Sequence, residues 1–430
     1  VYKRQLLQIR QKVMLLAPTG RAAKVFSLGS GAPAYTIHRR IYREKAFAGV
    51  DGQFSLNDNL YTDTLFMVDE ASMIANMGLG GTTFGSGCLL DDLVKFVYQG
   101  HNDRLLLIGD KAQLPPVGEE ESPALSASVM EGYGLKVFEC DLNEVLRQSQ
   151  SSGILYNATL IRQMITHDAV TGLPLIRFKG FADIVMMPGA ELVESLGDSY
   201  HHVGMDETMV ITRSNKRANI YNNGIRNMVL DREEELSSGD MLMIVKNNYF
   251  WTEKEKKESG EGSAGAVPTF LANGDRAKVL RVSNYIELYG FRFATLLLQL
   301  PDYDDYEMQV TGMLDTLQSE APALTHEQQE ELFRQVEEDY QHFVPLKADR
   351  MKSIRQDAYF NALQIKYAYA VTCHKAQGGQ WAHVYVDQGY MTDDMLTPDY
   401  IHWLYTAFTR ATDKLFLVNW PKEQTCEPTD

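Results

Sequence analysis

LFMVDEAS, residues 65–72, decides how this chain is read. An unbroken apolar run passes directly into two carboxylates, Asp69 and Glu70, and then into small and hydroxylic residues. A buried parallel strand has this appearance, and ligands of open α/β sheets sit at the carboxyl ends of such strands. The pair stands where one acid can hold Mg²⁺ and the next can orient or deprotonate water. A strand ending in acids is also a common helix-capping arrangement, so the pair alone leaves both readings open.

The same rhythm recurs on either side. Upstream, Val13 to Ala17 meets a Pro-Thr-Gly break and a helix predicted from Arg21; downstream, Leu105 to Ile108 ends in Gly109-Asp110. A second α/β signal starts at Met209 to Thr212, with a helix from Ser214 to about Asn227. Three β-rich runs between Leu236 and Pro301 interrupt it, separated by Gly-Asp and Asn-Gly turns, and they predict a small inserted β-barrel. Within that insertion EKEKKESGEGSAGA, Glu253 to Ala266, reads as a low-complexity loop. Thr325 to Tyr340 has the apolar spacing of a solvated amphipathic helix. The α/β signal resumes at Tyr367 to Thr372 and Val384 to Asp387, and it closes with a helix near Tyr400 to Ala411 and a strand at Lys414 to Val418. The fold class is therefore α/β, with a first lobe over 1–150, a linker and the start of a second lobe over 151–235, the insertion with its acidic helix over 236–355, and the rest of the second lobe over 356–430.

Composition narrows the function. The chain has 430 residues, and 41 Lys and Arg against 57 Asp and Glu give a net charge of −16, which excludes a generally cationic nucleic-acid coat and leaves only a local groove for such contacts. No apolar run approaches the roughly 20 residues of a membrane helix, and no secretory signal opens the chain; a cytoplasmic monomer is expected. Cys88, Cys140, Cys373 and Cys426 form no CxxC, and the histidines form no HExxH; His201-His202 is expected on a surface loop.

Three further stretches carry chemistry. LLLIGDKAQLPPVG, Leu105 to Gly118, places Gln113 beyond a strand and before a rigid Pro-Pro, where its amide can contact a γ-phosphate or an attacking water. TCHKAQGGQ, Thr372 to Gln380, offers hydroxyl, imidazole and ammonium donors suited to backbone phosphates. YTAFTRA, Tyr405 to Ala411, sets Arg410 late in a helix, and an arginine reaching a transferring phosphoryl group is worth about 10³ to 10⁵ in rate.

Taken in order, APTGRAAK with TIHR (17–24 and 36–39), VDEAS, GDKAQLPPVG, LNEVLRQ (142–148), TCHKAQGGQ and YTAFTRA resemble motifs Ia, II, III, IV, V and VI of the superfamily 1 DNA helicases, most closely the RecD-like branch that moves 5′ to 3′. The resemblance spans nearly the whole chain. It implies two RecA-like P-loop NTPase lobes with an SH3-like barrel inserted in the second, ATP and Mg²⁺ as nucleotide and metal, and single-stranded DNA and duplex junctions as partners. It further implies that Asp69 holds Mg²⁺, Glu70 activates water, Gln113 senses the γ-phosphate, and Arg147 and Arg410 approach it from the two sides of the cleft. Pro18, Thr19, Gly20 and His38 on the first lobe, with Thr372, His374 and Lys375 on the second, would grip single-stranded DNA without reading its sequence.

Three departures stand beside the matches. The family's GxxxxGK[ST] phosphate cradle does not occur in the chain, which opens on Val1 with VYKRQLLQIRQK reading as the tail of a helix already under way; a fragment of an active ATPase, itself impaired, is the expectation. Gln380 stands where the family has Glu, which bears on its contact to nucleotide, and the short stretch between Ile41 and Tyr61 leaves little room for a strand-separating pin. The rival reading is a single-stranded DNA-binding module without hydrolysis; other P-loop enzymes leave TCHKAQGGQ and YTAFTRA unexplained.

Overall fold

The computed structural model describes residues 11–426 apart from 48–51, 78–84, 143–151, 167–171, 260–266, 269, 304 and 393–394. Arg147 and the opening VYKRQLLQIR lie outside the described residues.

The first lobe is built from β1 (Lys12–Ala17), β2 (Ala34–Thr36), the antiparallel pair β3 (Tyr42–Phe47) and β4 (Gly52–Leu56), β5 (Thr64–Val68) and β6 (Arg104–Leu107). Its four-stranded sheet has the order β2-β1-β5-β6, and every pairing is parallel. Phe66 and Val68 are fully buried, and with Leu16, Ile37, Leu93 and Phe96 they form the core of this lobe. Thr19 caps the helix Gly20–Ser30 by accepting from the Ala22 amide, so the Pro-Thr-Gly break is a helix start. The β3–β4 pair occupies the stretch that seemed short for a pin.

The second lobe opens with β7 (Ile184–Met187) and β8 (Thr208–Thr212). The barrel follows as β9 (Met241–Ile244), β10 (Arg276–Leu288), β11 (Phe291–Leu300), β12 (Tyr306–Met313) and β13 (Leu363–Tyr367), closed in the order β10-β11-β12-β13-β9. The chain then returns through β14 (Ala370–Thr372), β15 (Trp381–Asp387) and β16 (Ala411–Val418) to complete a five-stranded sheet, β14-β8-β15-β16-β7. The architecture is thus two RecA-like parallel sheets with a small closed barrel inserted in the second. Barrel and second sheet share one core, which runs from Leu296 and Ile365 to Val384 and Leu417.

Local readings differ from the structure at four places. The barrel closes with Leu363–Tyr367, beyond residue 355, so the second sheet resumes at Ala370. Tyr367 to Thr372 is accordingly not one strand. Asn222 divides it: its Oδ1 accepts from the Tyr369 and Ala370 amides at 3.1 and 2.8 Å and pins the connector between the two strands. The first part of the low-complexity stretch is helical, Phe250–Ser259, because Glu and Lys favour helix and Trp251 anchors it by donating to the Asn361 carbonyl at 2.9 Å. His201 and His202 end the helix Leu192–His202 rather than lying on a loop, and His202 Nδ1 lies 2.8 Å from the Asp198 carbonyl oxygen. The acidic helix appears as His326–Gln341, begun by a capping box between Thr325 and Gln328.

A buried charge cluster fixes the barrel to its lobe. The helix Asn215–Gly224 passes into a π-helical turn, Ile225–Val229, that directs Arg226 onto Asp240 at 3.1 Å. Arg232 reaches the same carboxylate at 2.7 Å, and Tyr369 donates to it at 2.9 Å. The outgoing and returning connections of the insertion are thereby tied at one point. No helix among the described residues is long and apolar enough to cross a membrane.

Candidate nucleotide cleft and single-strand interface

The acids of the first lobe stand where strand physics puts them. Asp69 follows β5, its amide held by the Leu16 carbonyl at 3.0 Å, and its Oδ1 accepts from the Glu70 amide at 3.0 Å. Glu70 has φ 52, a left-handed conformation that costs a non-glycine residue about 1–2 kcal/mol and is concentrated at functional sites. Both side chains are half-buried. Among the described residues no three His, Cys, Asp or Glu side chains cluster as a metal cage. Mg²⁺ takes one or two carboxylates and completes its shell with water and substrate phosphates. Asp69 fits such a single-carboxylate site.

The neighbouring strand end is used differently. The Ala71 amide bonds the Ile108 carbonyl at 2.9 Å, and a Cβ at Gly109 would stand 2.9 Å from the Ser72 nitrogen, so only glycine lets the two strand ends approach this closely. Asp110, an acid at a strand end, is engaged across the molecule: Tyr405 donates to it at 2.7 Å and Arg162 at 3.3 Å. Burial and this carboxylate push the Tyr405 phenol up to about 12.

The loop beyond Asp110 belongs mechanically to the second lobe. Ala112 and Leu114 are buried in that lobe's core. The Leu114 amide donates to Thr406 Oγ1 at 2.8 Å, Gln377 donates to the Leu114 carbonyl at 2.8 Å, and His402 Nδ1 lies 2.9 Å from the Ala112 carbonyl oxygen. Gln113 rides on this loop, and its buried Oε1 has no hydrogen-bond partner in the structure. A buried amide oxygen left unsatisfied carries a penalty, and here it marks a place for a donor such as water.

Arg410 approaches the same interface from behind. It is 4 % exposed and donates to the Thr406 carbonyl at 3.0 Å, the Gly379 carbonyl at 3.2 Å and Thr409 Oγ1 at 3.1 Å. Thr406 thus bonds both Arg410 and the loop that carries Gln113. Gln380 is exposed beside them, between Gly379 and Trp381.

The expected DNA-gripping residues fall into two groups. A Cβ on Gly20 would meet Ala272 Cβ at 2.2 Å, so Pro18, Thr19 and Gly20 lie where the first lobe touches the barrel. Gly378, with φ +74, turns under Ala22 of the same helix, and Arg21 stacks over Trp381 at 4.4 Å. Motif Ia and motif V are therefore in contact. His38 is half-buried beside Tyr42, and desolvation holds its imidazole down at about 4. Thr372 begins the short helix Cys373–Ala376 without a side-chain capping bond. His374 is lowered by desolvation against the pull of Asp399, and burial lowers Lys375 to about 8, with Lys366 adding to the shift.

A basic and aromatic seam continues from this point. Lys24 lies over Tyr303 at 5.2 Å, Arg39 over Phe270 at 5.7 Å, and Tyr249 stacks on Phe270 at 5.1 Å. Sequence reasoning missed Arg162, His402, Thr406, Arg21 and Lys366 as site residues. Thr406 lies inside a quoted motif, whereas Arg162 sits in an ordinary amphipathic helix and carries no local signal.

Residues 2–172 match the AAA domain family, and residues 367–418 match the UvrD-like helicase C-terminal domain family. An uncharacterized protein of Acanthamoeba polyphaga mimivirus is 22% identical over 396 residues, covering 82% of this chain and 74% of its own. Among solved structures, the Pif1 helicase from Bacteroides in complex with ADP-AlF3 and single-stranded DNA is similar at 12% identity and TM-score 0.45, over 100% of this chain and 94% of that one. The Pif1 helicase from Candida albicans is similar at 14% identity and TM-score 0.40, over 99% and 88%.

Proposed function

We propose that this chain, which matches the AAA domain family over residues 2–172 and the UvrD-like helicase C-terminal domain family over residues 367–418, is a superfamily 1 helicase that couples ATP hydrolysis to 5′-to-3′ movement along single-stranded DNA in the manner of the RecD-like branch. The observation that carries the proposal is the loop Asp110–Leu114, which leaves the acid-bearing sheet of the first lobe and plugs into the core of the second. A change at the nucleotide is thereby transmitted to the helix of Arg410 and to the turn at Gly378 that faces motif Ia.

In this reading Asp69 holds Mg²⁺ and Glu70 polarises the attacking water. Gln113 reports on the γ-phosphate, Arg147 and Arg410 contact it from the two sides of the cleft, and Gln380 stands on the side of Arg410. The metal, when bound, neutralises charge on the transferring phosphates. Pro18, Thr19, Gly20 and His38 hold the strand on one lobe, and Thr372, His374 and Lys375 hold it on the other. Closing and opening of the lobes alternates the two grips. His38, neutral at pH 7, serves through contact and stacking rather than charge.

The experiment is strand displacement on duplexes with one single-stranded tail. ATP-dependent displacement of the 5′-tailed substrate and not the 3′-tailed one supports the proposal; the reverse preference contradicts its polarity. A second reading is a DNA-binding module without hydrolysis. It requires DNA affinity unaffected by ATP.

A further inference from the structure

The helix Phe250–Ser259 lies against the outside of the barrel without an apolar seam. Trp251, Lys254, Glu255 and Glu258 follow one another at the helical spacing of three and four and line one space over β11 and β12, where a helix ordinarily lays an apolar stripe. The strands present polar groups in return: Thr295 of β11 and Thr311 of β12 are register partners, and Gln309 follows on the same side of β12. Helix and strands therefore stand apart around an open cavity of about 150 Å³. The gap is held open, since Trp251 fixes the helix through its bond to the Asn361 carbonyl at 2.9 Å and Tyr306 donates to Glu255 at 3.3 Å. Lys254 lies over the Trp251 ring at 5.1 Å. Among the described residues, the side chains of Thr295, Gln309 and Thr311 make no hydrogen bond and Glu258 makes no ion pair.

We infer that this cavity is a seat for an arginine side chain of a partner protein. A cavity of this volume takes a group of about six heavy atoms, the size of benzene and of an arginine beyond its Cβ. Two carboxylates face one ammonium in the lining, which draws in a cation and turns away the phosphates of a nucleic acid. A guanidinium carries five donors and no acceptor, and the carboxylate, hydroxyl and amide oxygens of Glu258, Thr295, Thr311 and Gln309 can all accept from it. A lysine ammonium, a compact charge with three donors, leaves part of that floor unpaired. A metal ion lacks ligands here, since among the described residues no three His, Cys, Asp or Glu side chains cluster. Arginines seated in pockets are frequent anchors of protein–protein interfaces. The seat is on the barrel and uses neither the nucleotide cleft nor the single-strand grip, so it stands or falls apart from the helicase reading.

The test titrates N-acetyl-L-arginine amide against the full chain by saturation-transfer NMR, beside the matching citrulline and lysine derivatives. Saturable binding of the arginine derivative, roughly millimolar, is expected, with the citrulline derivative, which keeps the shape and loses the charge, about tenfold weaker and the lysine derivative weaker as well. Glu258→Gln is expected to weaken arginine binding about tenfold and Thr311→Val about threefold. Glu258 is exposed and Thr311 half-buried, so melting curves of both variants should match that of wild type. Glu330→Gln, on the acidic helix and outside the lining, should bind like wild type. Wild-type affinity in both Glu258→Gln and Thr311→Val overturns the seat, as does equal binding of the arginine derivative and either of the other two. A loss in Glu330→Gln equal to that in Glu258→Gln assigns the attraction to the net charge of the chain and also overturns it. Free L-arginine that binds more tightly than the capped form makes the amino acid itself the ligand and overturns the partner assignment.

Discussion

The backbone amide of Leu114 donates to the hydroxyl of Thr406 at 2.8 Å, across the boundary between the two lobes. The bond is buried, and Thr406 is fully inaccessible. Thr406→Val keeps the volume and removes the acceptor, leaving a buried amide unsatisfied at a cost of about 1–3 kcal/mol. Urea unfolding is expected to show that loss, and hydrogen exchange at Leu114 is expected to accelerate. Unchanged exchange at Leu114 would mean that the loop is held by its apolar contacts alone.

Glu70→Gln removes the carboxylate proposed to polarise the attacking water and keeps the side chain's size. Arg410→Ala removes a group worth about 10³ to 10⁵ in turnover in related phosphoryl-transfer enzymes. In a form of the protein that carries a GxxxxGK[ST] phosphate cradle, each variant is expected to lose ATP turnover while single-stranded DNA affinity stays within a few fold. Wild-type turnover in either variant contradicts the assigned roles. Arg410→Ala also removes a donor from the Gly379 and Thr406 carbonyls, so a melting curve accompanies its assay.

His38 makes stability depend on pH in a defined direction. Its folded value is held near 4, below the ordinary 6.5, so the unfolded chain binds the proton more readily. The contribution is fully present above about pH 6.5, declines as pH falls toward 4, and changes no further below that; between pH 7 and pH 5 it amounts to about 2 kcal/mol. Urea midpoints at the two pH values should move apart less in His38→Gln than in wild type. An identical pH dependence in the variant removes His38 as the source.

Asp240 compensates two arginines at once. Its side chain is 0% exposed and that of Arg226 is 4% exposed, so Asp240→Ala strands a buried guanidinium at a cost of about 3–5 kcal/mol. Chemical denaturation should register a loss of that size. A loss under about 1 kcal/mol would show that Arg226 finds water or a new partner.

The cysteines differ in reach. Cys373 is buried and its thiol is pushed up to about 12, whereas Cys140 and Cys426 are exposed. Iodoacetamide at pH 8 should label Cys140 and Cys426 in the folded chain and reach Cys373 only after unfolding. Labelling of Cys373 at a comparable rate would mean that the sheet edge at motif V opens readily.

What the sequence made legible was whatever is written locally. Strands ending in acids, the Pro-Thr-Gly break before a helix, and the Gly-Asp turns of the barrel each depend on a few adjacent residues. The division of Tyr367 to Thr372 was not legible, since both halves are equally apolar and the break is imposed by Asn222, far away in the chain. Asp110 reads locally as another catalytic acid; only the fold brings Tyr405 and Arg162 to it. Lys366 sits in an ordinary strand, LQIKY, and nothing there announces that the barrel closes beside Lys375.

The central claim is that nucleotide and DNA are coupled through the loop Asp110–Leu114. The most direct measurement is oligo(dT) affinity of the full chain with and without ATP and Mg²⁺, repeated in Thr406→Val. The account predicts that ATP changes the affinity several-fold in wild type and that the change is reduced in Thr406→Val. An affinity that ATP leaves unaltered in wild type contradicts it, and the chain is then a single-strand-binding module.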